Sequence, residues 1–405
     1  MKKFNQLPFL PEAKNTHMTH LEDVVLYRGV DGVRDAINTL RAIRDSLAGI
    51  SGMPQMSVKW DGAPSIVAGT DPTNGKFFVA KKSVFNKNPK VYYNKQDVVN
   101  DIPEGDLRNK MITAITYLPT LGIEGIVQGD LMFTHDSLEA EVIGGEKYIT
   151  FHPNTILYAV PFDSDEGKRV RRAKIGVVWH TSYSGQSFED MSANFKVSNQ
   201  LNQNLPQVWS RTAAVPVAGG SISPGDIKEI TGELSTAGKI FNTVPADLLN
   251  SVRDNRHIGV ILETFHNSQV REGTLEENLD LYVERLQNFV ELRFGKEIEK
   301  RKTEKGKQVQ RDKLDEVLAY FQDKKGLTAL FGLHRSLHRA KILIINKLNG
   351  LSQIGHFVKT RTGYRLTAPE GYVAVNKTGH AVKLVDRLEF SANNFSDDIL
   401  KGWQR

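Results

Sequence analysis

The 405-residue chain contains no cysteine. That absence excludes disulfides, zinc–thiolate centres and thiol nucleophiles. No apolar run approaches the roughly 18 residues that a membrane span needs, so no membrane association is expected. The N-terminal stretch "MKKFNQLPFLPEAKNTHMTH" has lysines but no continuous apolar segment, so a signal peptide is not expected and a cytoplasmic location is the default. Several chemistries lack their signatures. The nearest approach to a phosphate-cradling P-loop, "GELSTAGKI" (232–240), has five residues between its glycines and Ile240 in place of Ser or Thr. His180 and its neighbouring serines stand in "GVVWHTSYSG", without the G-x-S-x-G turn of a serine nucleophile. His17 and His20 lie three apart with no third ligand at metal spacing, which favours local capping or packing.

What is present is an ordinary globular composition, 40% hydrophobic and 25% charged, with length for two or three domains. The net charge of +6 is a weak pointer to polyanionic partners. Its distribution says more. Lysine and arginine concentrate in "GKRVRRAK" (167–174) and "GKEIEKRKTEKGKQVQRDK" (295–313), although the glutamates of the second suit a solvated helix face.

Val33, Ile37, Leu40, Ile43 and Leu47 recur at helical spacing, with Asp31 as the expected N-cap and "AGISG" as the stop. From residue 56 the pattern changes to short strands, "MSVKW", "SIVAG" and "KFFVAKK", joined by Asp-Gly and Asn-Gly turn chemistry. Residues 106–121 read as a helix, and 125–133, 147–153, 155–162 and 174–183 as further strands. The Asn-, Gln-, Ser- and Gly-rich stretch of 185–250 predicts loops and short elements. A strongly helical pattern fills 274–347, and strands return over 364–386. A β-rich module is thus interrupted by a long, largely helical insert.

Alternation along the first strand puts Ser57 and Lys59 on one face, with Val58 and Trp60 on the other. Lys59 opens "KWDG"; a later strand ends in Lys81-Lys82; "QGDLMF" carries Asp130; "PEGYVAVNKTGHAVKLVDR" carries Glu370 and Lys383 on adjoining strands. In this order the motifs resemble the covalent nucleotidyltransferase superfamily of ATP-dependent DNA ligases, RNA ligases and mRNA capping enzymes. The wider text, with "THLED", "KWDGAPS", "FNKNP", "GEKYITFHPNTILYAVP" and "KIGVVWHT", also resembles proteins of large tailed phages.

The resemblance implies an α+β fold. A nucleotidyltransferase (adenylation) domain of antiparallel sheets with flanking helices would span 56–185 and 350–395. An N-terminal helical segment (1–55) would pack on it, and a mostly helical accessory domain (186–349) would be inserted. It implies ATP and Mg²⁺ (or Mn²⁺) as cofactors and RNA (or DNA) ends as partners, with no membrane and no obligate protein partner. Lys59, Asp61 and Lys383 would be catalytic. Lys59, Gly62, Lys81, Lys82, Asp130, Tyr158, Glu370 and Lys383 would surround the nucleotide, with Tyr158 or its competitor Phe151 stacking on adenine. Glu370 and Asp130 would hold the metal. Lys59 would attack the α-phosphate to form a lysyl–AMP phosphoramidate. A free lysine has a pKa near 10.4, so presenting it unprotonated near neutrality costs roughly 4 kcal/mol, which neighbouring cations reduce.

The chain departs from the family's pattern in places. The terminal K-x-K is Lys383-Leu384-Val385 here, so one phosphate contact is missing or comes from Arg387. Only 22 residues follow Lys383, too few for the OB barrel with which DNA ligases clamp a duplex. An RNA ligase, of the phage tRNA-repair type, is therefore the expectation, with a DNA ligase, or a nucleotide-binding or AMP-transferring protein on the same fold, as alternatives.

Overall fold

The computed structural model describes residues 18–50, 55–215, 222–273, 275–351, 354–376 and 379–404. His17, one of the paired histidines noted above, lies outside them.

The chain opens with helices α1 (Val24–Tyr27) and α2 (Gly29–Leu47). Val33, Ile37, Leu40, Ile43 and Leu47 are buried along one side of α2, as their spacing requires. Asp31 is not the N-cap: the helix starts two residues earlier at Gly29, whose φ of +57° lets the chain turn out of α1. Strands β1 (Gln55–Lys59), β2 (Ser65–Thr70) and β3 (Phe77–Lys81) follow, then α3 (Lys95–Asp101) and α4 (Asp106–Tyr117). Next come β4 (Ile126–Thr134), β5 (Glu139–Ile143), β6 (Glu146–Phe151), β7 (Leu157–Pro161), α5 (Asp165–Arg172) and β8 (Ile175–Ser184). Short strands β9 (Ser192–Asn194) and β10 (Gln203–Asn204) lead to β11 (Val208–Thr212).

A helical run then occupies α6 (Pro224–Phe241), α7 (Ala246–Asp254), α8 (Arg256–Arg271), α9 (Leu279–Glu299), α10 (Glu304–Tyr320) and α11 (Lys324–Asn349). The chain returns to strands in β12 (Gly355–Thr360), β13 (Gly363–Leu366), β14 (Gly371–Val375) and β15 (Ala381–Leu384), and closes with α12 (Arg387–Phe395) and β16 (Ile399–Leu400). The protein is therefore mixed α and β, and its named strands pair antiparallel except β8 with β11.

Among the described residues, the strands form three sheets. β1, β14 and β15 form a small sheet in the order β1-β14-β15, so residues more than 300 positions apart become neighbours. A large sheet runs β10-β11-β8-β4-β2-β3, and a third runs β13-β12-β7-β6-β5. Residues 213–215 stitch the first two together: the Val58 N–H donates to Ala213 O (2.7 Å) and the Val215 N–H to Met56 O (3.1 Å).

Two boundaries differ from the sequence reading. Residues 192–212 add strands to the large sheet instead of starting the insert, and 224–254 are helices instead of loops. Ser223 starts α6 with a reciprocal side-chain cap on Asp226, a signal obscured by the polar composition around it. The N-terminal helices also do not pack on the strand module alone. Leu21, Val25, Val33, Leu40 and Leu47 share one core with α6–α11 and with Met56, Tyr372, Ala374, Val382 and Leu384 of the small sheet. Each such side chain, fully buried, contributes about 1.5–3 kcal/mol. The small sheet is thus glued by its back face to a helical unit built from both ends of the helix-rich sequence. Its front face carries Gln55, Ser57, Lys59 and Lys383 beside Val373, Val375 and Ala381.

Candidate functional site

Register decides which residues of the small sheet meet. Ser57 pairs with Val373 and Val373 with Lys383, so the three form a row across the sheet, while Lys59 pairs with Gly371. Period-two alternation then puts Ser57, Lys59 and Lys383 on one face, opposite the helical core. Gly371 is obligatory at this crossing. Its φ is +149°, and a Cβ there would lie 2.5 Å from Leu384 O.

Lys59 ends β1 with its side chain 30% exposed, and its Nζ donates to a carboxylate oxygen of Glu370, 9% exposed, at the entrance to β14. Burial pushes the Glu370 carboxyl up to about 7, against the pull of the Lys59 ammonium, and the nearby Asp61 and Asp130 carboxylates add to the rise. Lys383 is held below the ordinary lysine range, first by burial and then by the Lys59 charge; Glu370 and Glu263 oppose this. Glu263, on α8, also accepts a short hydrogen bond from the Tyr27 hydroxyl. Sequence reasoning missed it, because a glutamate on an amphipathic helix carries no mark of facing a site.

The turn after Lys59 is fixed from below. The Asp61 carboxylate accepts from the Asn154 side chain (2.6 Å), the Thr155 N–H (2.7 Å) and the Ile156 N–H (2.9 Å), and the Asp61 N–H donates to the Tyr158 hydroxyl (2.7 Å). Asp61 is 8% exposed, and its lone pairs are committed to the loop that precedes β7. It is a positioning residue rather than the catalytic group expected. Gly62 lies against Asp130: a Cβ would come within 2.5 Å of the Asp130 Cβ. The Asp-Gly step therefore docks the Lys59 strand onto β4. On β4, Asp130 faces His180 of β8, Oδ2 to Nε2 3.6 Å.

Four other expectations fail on geometry. Tyr158 is 1% exposed, stacked between Trp60 (5.1 Å) and Phe151 (5.3 Å), and Phe151 is equally buried. Neither ring has a face left for adenine; β7 is simply a core strand. Lys81 pairs with Ile66, whose side chain lies in the core under α3 and α4, and its charge acts on Asp101 at the end of α3. Asp130 pairs with Ser65, one residue along, and so points to the opposite face of the large sheet. Lys82 is exposed beyond the strand end. Arg387 is 4% exposed and bonds both Asp23 oxygens (2.8 and 3.0 Å) and Asn267, which leaves it no phosphate to meet.

The donors suit a small hard cation better than a softer one: Glu370 and Asp130 offer carboxylate oxygens, whose mutual repulsion in a buried setting a divalent ion relieves. Among the described residues no group of three acidic or histidine side chains forms a ready metal cage. Mg²⁺ would need phosphate oxygens to complete its shell, as it commonly does. Ser57, at one end of the row, also borders open space, which Lys59, Glu370 and Lys383 do not line. A cavity of about 590 Å³ is lined by Gln55, Ser57, His180, Lys196 and Asn199, and the Gln55 Nε2 beside it has no hydrogen-bond partner.

Among the described residues, no helix is long and apolar enough to cross a membrane. Residues 15–398 match a family described as "Family of unknown function (DUF6267)". No curated protein and no solved structure matches the chain.

Proposed function

This chain belongs to the DUF6267 family, and we propose that it is an ATP-dependent adenylyltransferase acting as a polynucleotide ligase. One observation carries the reading. Lys59 and Lys383, more than 300 residues apart, share one face of a three-stranded sheet, where Lys59 is ion-paired to Glu370 at the entrance to β14 and acts electrostatically on Lys383.

In this reading the Lys59 Nζ attacks the α-phosphorus of ATP. A nitrogen–phosphorus bond forms, the bond to the bridging oxygen breaks, and pyrophosphate departs. The ammonium proton must leave first, and the Glu370 carboxylate, already its hydrogen-bond partner, is the acceptor in place. Lys383 sets positive charge beside the reacting phosphate, where charge builds in the transition state. A bound Mg²⁺, held by Glu370 and Asp130, would supply further neutralisation of the triphosphate. The AMP would next pass to the 5′-phosphate of a polynucleotide, whose partner 3′-hydroxyl then displaces it.

RNA ends are the first substrate to test. The experiment pairs ATP labelled at the α-phosphate with Mg²⁺, then adds a 5′-phosphorylated RNA bearing a 3′-hydroxyl or a nicked DNA duplex. The reading expects label on the protein that is discharged by RNA with joining. Discharge and sealing only with nicked DNA would move the assignment to a DNA ligase. Label without joining of either would leave an AMP transferase with another acceptor.

A further inference from the structure

The opposite face of β1 borders a second cavity, which the adenylyl-transfer reading leaves unused. It measures about 930 Å³ and lies between Val58 of β1 and Trp60 just after it, Trp209 and Arg211 of β11, His356 of β12 and Tyr372 of β14. Four aromatic rings (Trp60, Trp209, His356 and Tyr372) stand in its wall among aliphatic and polar side chains, and two of their ring nitrogens lack partners. The Trp60 Nε1–H and the His356 Nε2 are both buried without a hydrogen bond. His356 is 5% exposed, and burial holds its imidazole well into the neutral form, at about 4. An indole N–H is donor only, whereas a neutral imidazole nitrogen offers either a donor or an acceptor. Both nitrogens are closed off from the cavity as it stands, and an unpaired buried polar atom is costly, so a ligand that drew the two rings towards it would relieve that cost.

One rim of the cavity is α5, through Ser164, Glu166 and Arg169. This is the cationic segment that stood out in the sequence. Lys168, Arg169 and Arg172 are exposed along it, and Arg171 stacks its guanidinium on Phe162 at 4.0 Å. Glu166 accepts from Trp209 (2.8 Å), from two nitrogens of Arg211 and from Arg169 (3.1 Å), and Lys168 pairs with Asp165 (3.4 Å), which leaves Arg172 as the exposed cation on the helix without a pair among the described residues. Four aromatic rings, with one donor and one adaptable nitrogen among them, suit a planar nitrogen heterocycle. A basic helix at the mouth suits phosphates attached to it.

We propose that this cavity receives one unstacked nucleobase of a single-stranded polynucleotide, with the flanking phosphodiesters lying on α5. The inference rests on the polynucleotide part of the function proposed above. It places the strand on the face of β1 away from Lys59, with the β1 backbone between the base and the nucleophile. The base stacks in the aromatic wall, accepts from Trp60 Nε1 and bonds His356 Nε2. Neighbouring phosphates add a salt-dependent attraction that is indifferent to sequence.

The test measures equilibrium binding without ATP or metal, by quenching of tryptophan fluorescence as a 5′-phosphorylated six-nucleotide RNA is titrated, with AMP as the comparison ligand. Val215→Phe fills the cavity from the segment joining the two sheets, and His356→Leu removes one polar contact at similar volume. The proposal expects each variant to lose about tenfold or more in RNA affinity, the scale of one base stacked on aromatic rings. It expects AMP affinity to stay within twofold. Unchanged RNA affinity in both variants would overturn it. Equal losses for RNA and AMP would also overturn it, by assigning the cavity to the base of ATP. Because the assay needs no adenylylation, a failure of the Lys59 chemistry reads out separately, in the labelling experiment.

Discussion

Two clusters of charge lie close to β15, and they are built on opposite principles. In front, Lys59, Glu370 and Lys383 are partly open and mutually frustrated. Beside β15, residues 19–21 bridge to Lys383 through its backbone, the Leu21 N–H donating to Lys383 O (3.0 Å) and the Lys383 N–H to Thr19 O (2.9 Å). The next two residues, Glu22 and Asp23, are fully buried. Lys341 Nζ donates to Glu22 (2.7 Å), His334 and Arg387 bond Asp23 (both 2.8 Å), and His338 approaches Glu22 (3.5 Å). Burial works against both acids, but the cations around them win: Asp23 is held down at about 2 and Glu22 well below the usual range. At Glu370 burial wins instead, and the carboxyl rises to about 7. A buried acid with enough fixed donors becomes a lock that ties the N-terminal segment to α8, α11 and α12. A buried acid with one mobile ammonium becomes a group that can exchange a proton.

The sharpest way to break this contrast is to remove one member of the lock. Lys341→Met would leave Glu22 buried with little compensation and should cost about 3–5 kcal/mol of stability, read from the urea midpoint. Lys59→Met, removing a cation from the open cluster, should cost far less. Comparable losses would erase the distinction.

The two clusters should also respond to pH with opposite sign. A carboxyl raised on folding stabilises below its unfolded pKa and loses that contribution as pH rises through the folded value. For Glu370 the window runs from 4.5 to about 7. Asp23, lowered on folding, contributes above 3.8 and loses it as pH falls towards about 2. Glu370→Gln should therefore gain stability relative to the parent between pH 4.5 and 7, by at most about 3 kcal/mol. An unchanged difference across that window would remove the burial argument for Glu370.

A smaller effect concerns the pin beneath the site. Tyr158→Phe deletes the acceptor of the buried Asp61 N–H and should cost about 1–3 kcal/mol in unfolding. A neutral result would mean that the Tyr158 hydroxyl does not hold the Lys59 turn. The smallest expected change is on the surface: Arg172→Gln in α5 should flatten the logarithmic salt dependence of RNA binding by about one unit. An unchanged slope would make α5 a solvated face and nothing more.

The strands carrying Lys59, Asp130, Glu370 and Lys383 were legible because alternation and turn residues are local signals. What escaped depended on distant pairing. The side of the sheet taken by Lys81 follows from its register with Ile66, which no local pattern states. Tyr158 and Phe151 have the composition of a stacking platform and of a core strand alike, and only Trp60 packing decides between them. Glu22 and Asp23 look like a solvated pair until α11 supplies Lys341 and His334 from more than 300 residues away. Arg387 looked free for the same reason.

The central claim is that Lys59 is the atom of attachment, and mass spectrometry addresses it most directly. After incubation with ATP and Mg²⁺, the intact protein should gain the mass of one AMP, and peptide mapping should find it on Lys59, with no adduct in Lys59→Ala. A parent protein that gains no AMP, or an adduct that persists in Lys59→Ala, would contradict the account.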